Sequence, residues 1–142
     1  MKGRIVLSVS MFLVLIAAPI YGADVKPKIK DAESATHGSE AAGYEIVNTY
    51  EYPGFRVVQF NLPVLSHYSY VVVSGKDALV VDPGRDISAY LDFAKKEGLT
   101  LKGVFLTHTH ADFVAGHTEM AKAASCPIYK NKAGGAQYEY KP

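Results

Sequence analysis

The chain has little cysteine and little net charge. Cys126 is the only cysteine among 142 residues, so no intramolecular disulfide can form. Its position just before Pro127 and a predicted strand favours a structural thiol over a nucleophile. Fifteen basic residues against fourteen acidic residues leave a formal net charge of +1. Since a nucleic-acid-binding face normally shows as a basic excess, this balance argues against nucleic acid as a partner.

The sequence also lacks internal repeats and low-complexity tracts. Its composition, 49% hydrophobic and 20% charged, is that of one ordinary globular domain. The apolar run at residues 5–20 is short for a membrane span. Basic residues precede this run and small residues follow it, which predicts a secretory signal peptide at residues 1–23. A secreted or periplasmic protein with no stable membrane anchor after cleavage is expected, and an uncleaved anchor is the alternative.

Residues 24–44 are polar and small without sustained periodicity, so they are predicted to be a linker or mobile arm. The pattern then changes to short runs rich in Val, Tyr and Phe, which predict a β-meander. These runs lie at residues 55–60, 68–74 and 78–81. Asp82-Pro83-Gly84 ends the meander, because proline cannot donate to a ladder and Gly84 accepts the torsions of a tight turn.

Helices and strands alternate after the meander. Asp86 is a good N-cap for a helix with apolar residues at i, i+3, i+4 and i+7 that ends at Gly98. Residues 101–106 predict the next strand, and residues 116–124 and 127–130 predict a second helix and a further short strand. The last strand of the β-meander therefore opens a β-α-β-α-β run. This order predicts an α/β fold, with a mixed sheet and outside helices.

Candidate metal ligands gather where the strand at residues 101–106 ends. In extended backbone, alternate residues point to the same side, so His108, His110 and Asp112 are predicted to share one face. Imidazoles and a carboxylate suit Zn²⁺, and equally the ferrous ion of a two-histidine, one-carboxylate site. The alternative is two solvated histidines and a helix-capping aspartate. Three ligand-type side chains at i, i+2 and i+4 after an apolar strand favour the metal site.

Residues 107–112, THTHAD, resemble the His-x-His-x-Asp signature of the metallo-β-lactamase superfamily. The common form of that signature has a further histidine after the aspartate, where this chain has Phe113. In dinuclear members the Asp-His pair helps to hold the second metal, and a phenyl ring has no lone pair to donate. The resemblance therefore implies a site for one divalent metal, Fe(II) or Zn(II).

Two longer stretches point to a branch of that superfamily. HADFVAGH at residues 110–117, together with VDPGRD at residues 81–86, is similar to the persulfide dioxygenase branch, including members fused to rhodanese domains. Glyoxalase II-like thioester hydrolases are near relatives. The resemblance implies a small thiol derivative as substrate, with persulfide oxidation as the first expectation. Zinc-dependent hydrolysis of a thioester or a related bond is the second.

The resemblance also implies roles for individual residues. His108, His110 and Asp112 are the implied metal-site residues, with His108 as a direct ligand. Asp112 is in addition the implied catalytic residue, because with His110 it would orient water and ligands. His67 lies in a segment similar to the family's His-x-Ser-Tyr, and Asp82 lies at a strand end. Both are expected to orient the ligands from behind, with direct ligation as the alternative for His67 and ordinary turn chemistry as the alternative for Asp82.

The resemblance covers residues 55–140, the first half of the superfamily domain. The remaining half supplies a later histidine and a later aspartate ligand. This chain has no histidine after His117, which is itself predicted to be a helix cap or solvated. Residues 45–142 are therefore expected to form the N-terminal half of an α/β/β/α sandwich, with part of an apolar face exposed. A truncated, non-catalytic metal-binding product is the third hypothesis, and the sequence leaves open the oligomeric state and whether this chain alone is an enzyme.

Overall fold

The computed structural model describes residues 27–31, 43–110 and 114–142. The predicted signal peptide at residues 1–23 lies outside these ranges, and so do most of the residues predicted as a linker. In the described ranges, no helix is both long enough and apolar enough to cross a membrane.

Among the described residues, seven strands form one sheet, and their order in the sheet is their order along the chain. The strands are β1 (Lys28–Asp31), β2 (Glu45–Tyr52), β3 (Phe55–Leu62), β4 (His67–Ser74), β5 (Asp77–Val81), β6 (Thr100–Leu106) and β7 (Ile128–Lys130). Neighbours from β1 to β5 pair antiparallel, whereas β5, β6 and β7 pair parallel. Parallel neighbours need crossover connections, which are the helices α1 (Ser88–Lys96) and α2 (His117–Ala124).

The predicted mixed sheet with outside helices is confirmed. Every strand and helix predicted from residue 55 onward is present, and the boundaries differ by at most two residues. The stretch predicted as a linker departs from that prediction in two places: β1 pairs with β2, and Tyr44 is buried in the core. The partners of β1 lie in β2, so local periodicity could not show the pairing.

Local hydrogen bonds close both ends of α1. The N-cap is Ile87, one residue after the predicted Asp86, and no side chain caps it in the usual way, although Asp86 Oδ1 accepts from Ser88 N at 2.9 Å. At the other end Gly98 has a φ of 64°, and Leu99 N donates to Ala94 O at 2.8 Å. A left-handed glycine after the helix lets the last carbonyls find donors in this way.

The main core lies between the sheet and the two helices. Val80 of β5 and Val104 of β6 are 0% exposed, and so are Tyr90 of α1 and Met120 of α2. Full burial of a valine or methionine side chain stabilises a fold by about 1.5–3 kcal/mol. This core packs against β5 and β6, whose C-terminal ends carry the candidate site.

The opposite face of the sheet is partly apolar and partly exposed. Val57 pairs with Val72, and Val72 pairs with Leu79, so these side chains share one face. Leu79 and Phe105, which point away from the helices, are 36% and 40% exposed. The exposed apolar area expected from the sequence is found on this face.

The C-terminal ends of β5 and β6 meet at one edge of the sheet. Val81 lies opposite Phe105, and Asp82 N donates to Phe105 O at 2.9 Å. The residues that follow the two strands are therefore brought together. Asp82 has a φ of 49°, in the left-handed region that side chains other than glycine seldom occupy. Such backbone costs roughly 1–2 kcal/mol for most residues, and aspartate is one of the few that tolerate it in a turn.

Gly84 serves a purpose other than the predicted one. The unusual torsion of this turn lies at Asp82, and Gly84 has no positive φ. A Cβ at Gly84 would instead lie 1.8 Å from Tyr44 Oη, so glycine is needed there for close packing. Gly84 N also donates to Tyr90 Oη at 3.1 Å. The turn after β5 is thus held against two buried tyrosines.

Candidate metal centre

Three side chains at this edge form a cluster. Asp82, His108 and His110 each offer one ligand atom, and these atoms lie within 4.8 Å of one another. The two imidazole ring centroids are 4.2 Å apart. Two imidazole nitrogens and a carboxylate oxygen at this spacing fit a divalent cation such as Zn²⁺ or Fe²⁺.

Asp112, predicted both as a metal ligand and as the catalytic residue, lies outside the described residues. Its role stays a prediction. The other two predicted ligands, His108 and His110, are brought together with Asp82, which the sequence placed behind the ligands. Asp82 is thus the carboxylate that the structure shows beside the imidazoles.

Both carboxylate oxygens of Asp82 accept hydrogen bonds. Oδ1 accepts from Thr107 N at 2.9 Å and is 3.0 Å from His110 Nε2, and Oδ2 accepts from Thr107 Oγ1 at 2.5 Å. The Asp82 side chain is only 8% exposed. Although Asp82 is near enough to touch a metal, these donors already occupy much of its accepting capacity. The geometry therefore favours an orienting role over direct ligation.

The contact with Asp82 assigns a tautomer to His110. A carboxylate can only accept, so in the neutral ring of His110 the proton is on Nε2 and the lone pair is on Nδ1. The His110 side chain is 6% exposed, which restricts its rotation and excludes water from the pair. A carboxylate behind a histidine holds the ring in one orientation and raises the basicity of the other nitrogen.

His67 lies at the same edge because it opens β4, whose antiparallel pairing with β5 brings its first residue next to the end of that strand. Its ring centroid is 6.1 Å from that of His110, and the two rings are nearly perpendicular at 87°. This is where an orienting residue would stand, and that role stays a prediction.

His117 is neither a helix cap through its side chain nor fully solvated. The N-cap of α2 is Gly116, and the half-buried His117 ring packs against Tyr138 with the ring centroids 4.8 Å apart. Burial lowers the pKa of His117, and Glu119 opposes that change. The sequence suggested a solvated residue because Tyr138 lies far along the chain.

Gly116 holds the start of α2 against the turn after β5. Gly116 N is 3.2 Å from Pro83 O and 3.1 Å from Gly84 O, and donates to both. A Cβ on Gly116 would lie 2.4 Å from Gly84 O. The loop that carries the histidines is therefore fixed at its end to the loop that carries Asp82.

Thr107 is the residue of this site that sequence reasoning left without a role. Its backbone N and its hydroxyl both donate to Asp82, and the hydroxyl oxygen is 2.8 Å from His108 Nδ1. A hydroxyl-bearing residue between a strand end and a candidate ligand is a signal for such a role. Its partner Asp82 is distant in sequence, so the pattern alone could not identify the contact.

A profile of the metallo-beta-lactamase superfamily matches residues 62–142, which is more than half of the chain. Hydroxyacylglutathione hydrolases are similar to part of it. The one from Bdellovibrio bacteriovorus is 40% identical over 52 residues, or 37% of this chain and 20% of that relative. The one from Anaeromyxobacter dehalogenans is 34% identical over 72 residues, or 51% of this chain and 28% of that relative. The matches thus span less than a third of these relatives' length.

Solved structures share the fold. A metallo-beta-lactamase from Staphylococcus aureus subsp. aureus COL is 34% identical with a TM-score of 0.54, over 62% of this chain and 27% of that one. ETHE1 from Myxococcus xanthus is 22% identical with a TM-score of 0.55, over 59% of this chain and 39% of that one. At this identity the likeness to ETHE1 shows the fold alone.

These similarities confirm the resemblance carried by the THTHAD signature and the α/β fold class. The hydroxyacylglutathione hydrolases support the glyoxalase II-like side of the branch that the sequence indicated. Profile, relatives and fold agree, and the chain belongs to the metallo-beta-lactamase superfamily.

Proposed function

We propose that this chain is the metal-binding part of an enzyme that acts on a small thiol derivative, with a persulfide as the first-choice substrate. The observation that carries the proposal is the pair of imidazoles, His108 and His110, held beside the buried Asp82 at the edge of the sheet. A divalent metal bound by these histidines would supply a Lewis acid for a sulfur-containing substrate. Two histidines and a carboxylate are also the ligand set of non-haem Fe(II) oxygenases, and Asp112 stays the predicted carboxylate ligand because Asp82 is an orienting residue.

The protein's own residues prepare the site in two ways. Asp82 holds a proton on His110 Nε2, which keeps the Nδ1 lone pair turned to the opposite side of the ring. The low exposure of Asp82 and His110 keeps water from competing for this hydrogen bond. The orientation of the His110 ring is thus fixed before a metal binds. This favours metal binding, because the ring loses less conformational freedom when it becomes a ligand.

Phe113 supports persulfide oxidation, the first choice, over hydrolysis at a dinuclear site. It stands where the common superfamily signature has a histidine, and a phenyl ring cannot ligate a metal. A single metal is therefore expected. Metal analysis of the dialysed protein tests this expectation, and two tightly held equivalents of zinc per chain would contradict it.

Oxygen uptake provides the direct test of the first-choice substrate. The protein is loaded anaerobically with Fe(II) and then given oxygen and glutathione persulfide. We expect oxygen consumption that depends on both iron and persulfide, and a loss of at least about a hundredfold in His108→Ala, which removes a ligand. The absence of oxygen uptake from an iron-loaded wild type, together with thioester cleavage by the zinc-loaded protein, would reject persulfide oxidation.

Zinc-dependent thioester hydrolysis is the second candidate, and the similarity to hydroxyacylglutathione hydrolases supports it. Cleavage of a hydroxyacylglutathione by the zinc-loaded protein, followed by absorbance of the thioester, tests it. A third outcome, metal uptake with neither activity, would support the hypothesis of a non-catalytic metal-binding product.

We also propose that the protein is exported. The support is the charge and apolar pattern of residues 1–23. N-terminal sequencing of protein recovered from cells should find a mature chain that begins near residue 23 or 24. Recovery of an intact Met1 from a soluble cytoplasmic fraction would contradict export.

A further inference from the structure

We infer that Thr107 sets the tautomer of His108 and so determines which ring nitrogen of His108 can bind a metal. Asp82, Thr107 and His108 form a continuous chain of hydrogen bonds at the end of β6. Thr107 Oγ1 is 2.5 Å from Asp82 Oδ2 and 2.8 Å from His108 Nδ1. The threonine hydroxyl therefore stands between the buried carboxylate and the exposed imidazole.

Counting the protons available to these groups shows which atom donates in each hydrogen bond. As a carboxylate, Asp82 can only accept, so the hydroxyl proton of Thr107 points to Oδ2. A hydroxyl group has one proton, and towards His108 Nδ1 the Thr107 oxygen can then only accept. In its neutral form, His108 must therefore carry its proton on Nδ1. The lone pair is left on Nε2.

The hydroxyl of Thr107 has little freedom to turn away. Thr107 N also donates to Asp82 Oδ1 at 2.9 Å, so the residue is bound to one carboxylate through both backbone and side chain. The branch at Cβ restricts the rotation of a threonine side chain further. A serine could keep the contact with more rotational freedom, and a valine would keep the shape but lose it.

One carboxylate then assigns opposite tautomers to two neighbouring histidines. It acts directly on His110, which keeps its lone pair on Nδ1, and through Thr107 on His108, which keeps its lone pair on Nε2. The hydrogen bond made by one ring nitrogen determines which nitrogen can be metallated. Without the hydroxyl, His108 would be free to place its proton on Nε2, the usual site in water. It would then no longer offer that nitrogen to a metal.

This inference deepens the proposed metal centre and rests on it, so the test begins with the metal-free protein. The ring nitrogens of uniformly ¹⁵N-labelled protein are observed by NMR at about pH 8.5, where ordinary imidazoles are neutral. We expect the Nδ1-protonated pattern for His108 in the wild type and in Thr107→Ser. Thr107→Val should move His108 towards the Nε2-protonated pattern. Thr100→Val makes the same change at the other end of β6, where we expect wild-type shifts.

Zinc titration supplies the second readout. Thr107→Val should weaken zinc binding about ten- to a hundredfold, the usual effect of removing a residue that orients a ligand, and Thr107→Ser should restore most of it. A wild-type His108 protonated on Nε2 would overturn the inference without any variant. So would a folded Thr107→Val protein with wild-type ring shifts and wild-type zinc affinity. If the tautomers behave as expected but the wild type binds no zinc, the proposed function fails and the assignment of the tautomer stands.

Discussion

The two ends of β5 and β6 each carry a contact between an acid and a base, in very different surroundings. At the N-terminal end of β5, Lys102 Nζ is 3.7 Å from Asp77 Oδ1, and these side chains are 56% and 63% exposed. At the C-terminal end, His110 Nε2 is 3.0 Å from Asp82 Oδ1, and the side chains are 6% and 8% exposed. Water screens the first contact and competes with it, whereas it is largely excluded from the second. The end that carries the site thus differs from the other end in burial as well as in residue type.

The glycines at the two ends also have different roles. Gly75, in the turn before β5, has a φ of 59°, and a Cβ added there would have nothing within 4 Å, so this glycine serves the torsion of the turn. Gly84 and Gly116 lie at the opposite end, where an added Cβ would meet Tyr44 Oη at 1.8 Å and Gly84 O at 2.4 Å. The N-terminal end thus uses glycine for conformation, and the C-terminal end uses it for close approach.

Of the changes considered, removing the Asp82 side chain should reduce the stability of the fold most. Asp82→Ala leaves Thr107 N, Thr107 Oγ1 and His110 Nε2 without their acceptor, and we expect a loss of about 3 kcal/mol in the free energy of unfolding. The matched change Asp77→Ala removes an exposed partner and should cost less than about 0.5 kcal/mol. Urea denaturation followed by circular dichroism measures both. Equal losses would show that the two contacts do not differ as described.

A methyl group on Gly116 should have the next largest effect. Gly116→Ala forces the start of α2 away from the turn after β5, because Gly84 O cannot move without disturbing the backbone. Overpacking of this kind typically costs about 1–3 kcal/mol. Gly75→Ala is the control and should cost about 1 kcal/mol, since it adds only a strained torsion. A larger loss of stability in Gly75→Ala than in Gly116→Ala would contradict the need for close approach at Gly116.

The smallest expected effect is the pH dependence that His117 contributes. Burial is the main reason that its pKa is lowered from 6.5, with His110 and Lys130 acting in the same direction. Glu119 and the backbone of Ala115 act in the opposite direction. Because the folded-state pKa is lowered, the unfolded chain binds more protons in this range. The stabilising contribution is therefore fully present above about pH 6.5 and is lost as the pH falls through the lowered pKa.

Unfolding free energies measured between pH 5 and pH 8 should show this dependence. His117→Asn should reduce the slope of stability against pH below about pH 6.5, the ordinary value for histidine. An unchanged slope in the variant would mean that His117 does not titrate differently in the folded and unfolded states.

The sequence predicted the fold where the signal was local. Alternation, helical spacing and turn residues placed each element after residue 55, and β1 was missed because its partners lie in another part of the chain. The same limit applies to the site. His108 and His110 are adjacent in the pattern, whereas the bond between Asp82 and Thr107 joins residues 25 positions apart. Gly84 illustrates a third case. The sequence predicted that glycine is needed for the torsion of the turn, but the structure shows that it leaves space for Tyr44, which the sequence pattern could not reveal.

The central claim is that His108 and His110, oriented by Asp82, form one metal centre at the C-terminal ends of β5 and β6. Calorimetric titration of zinc into the metal-free chain tests it most directly, with His108→Ala, His110→Ala and, as a control at the opposite end of β5, Asp77→Ala. We expect one equivalent of zinc in the wild type and in the control, and a loss of affinity of at least about a hundredfold in either cluster variant. Wild-type stoichiometry and affinity in both His108→Ala and His110→Ala would contradict the account.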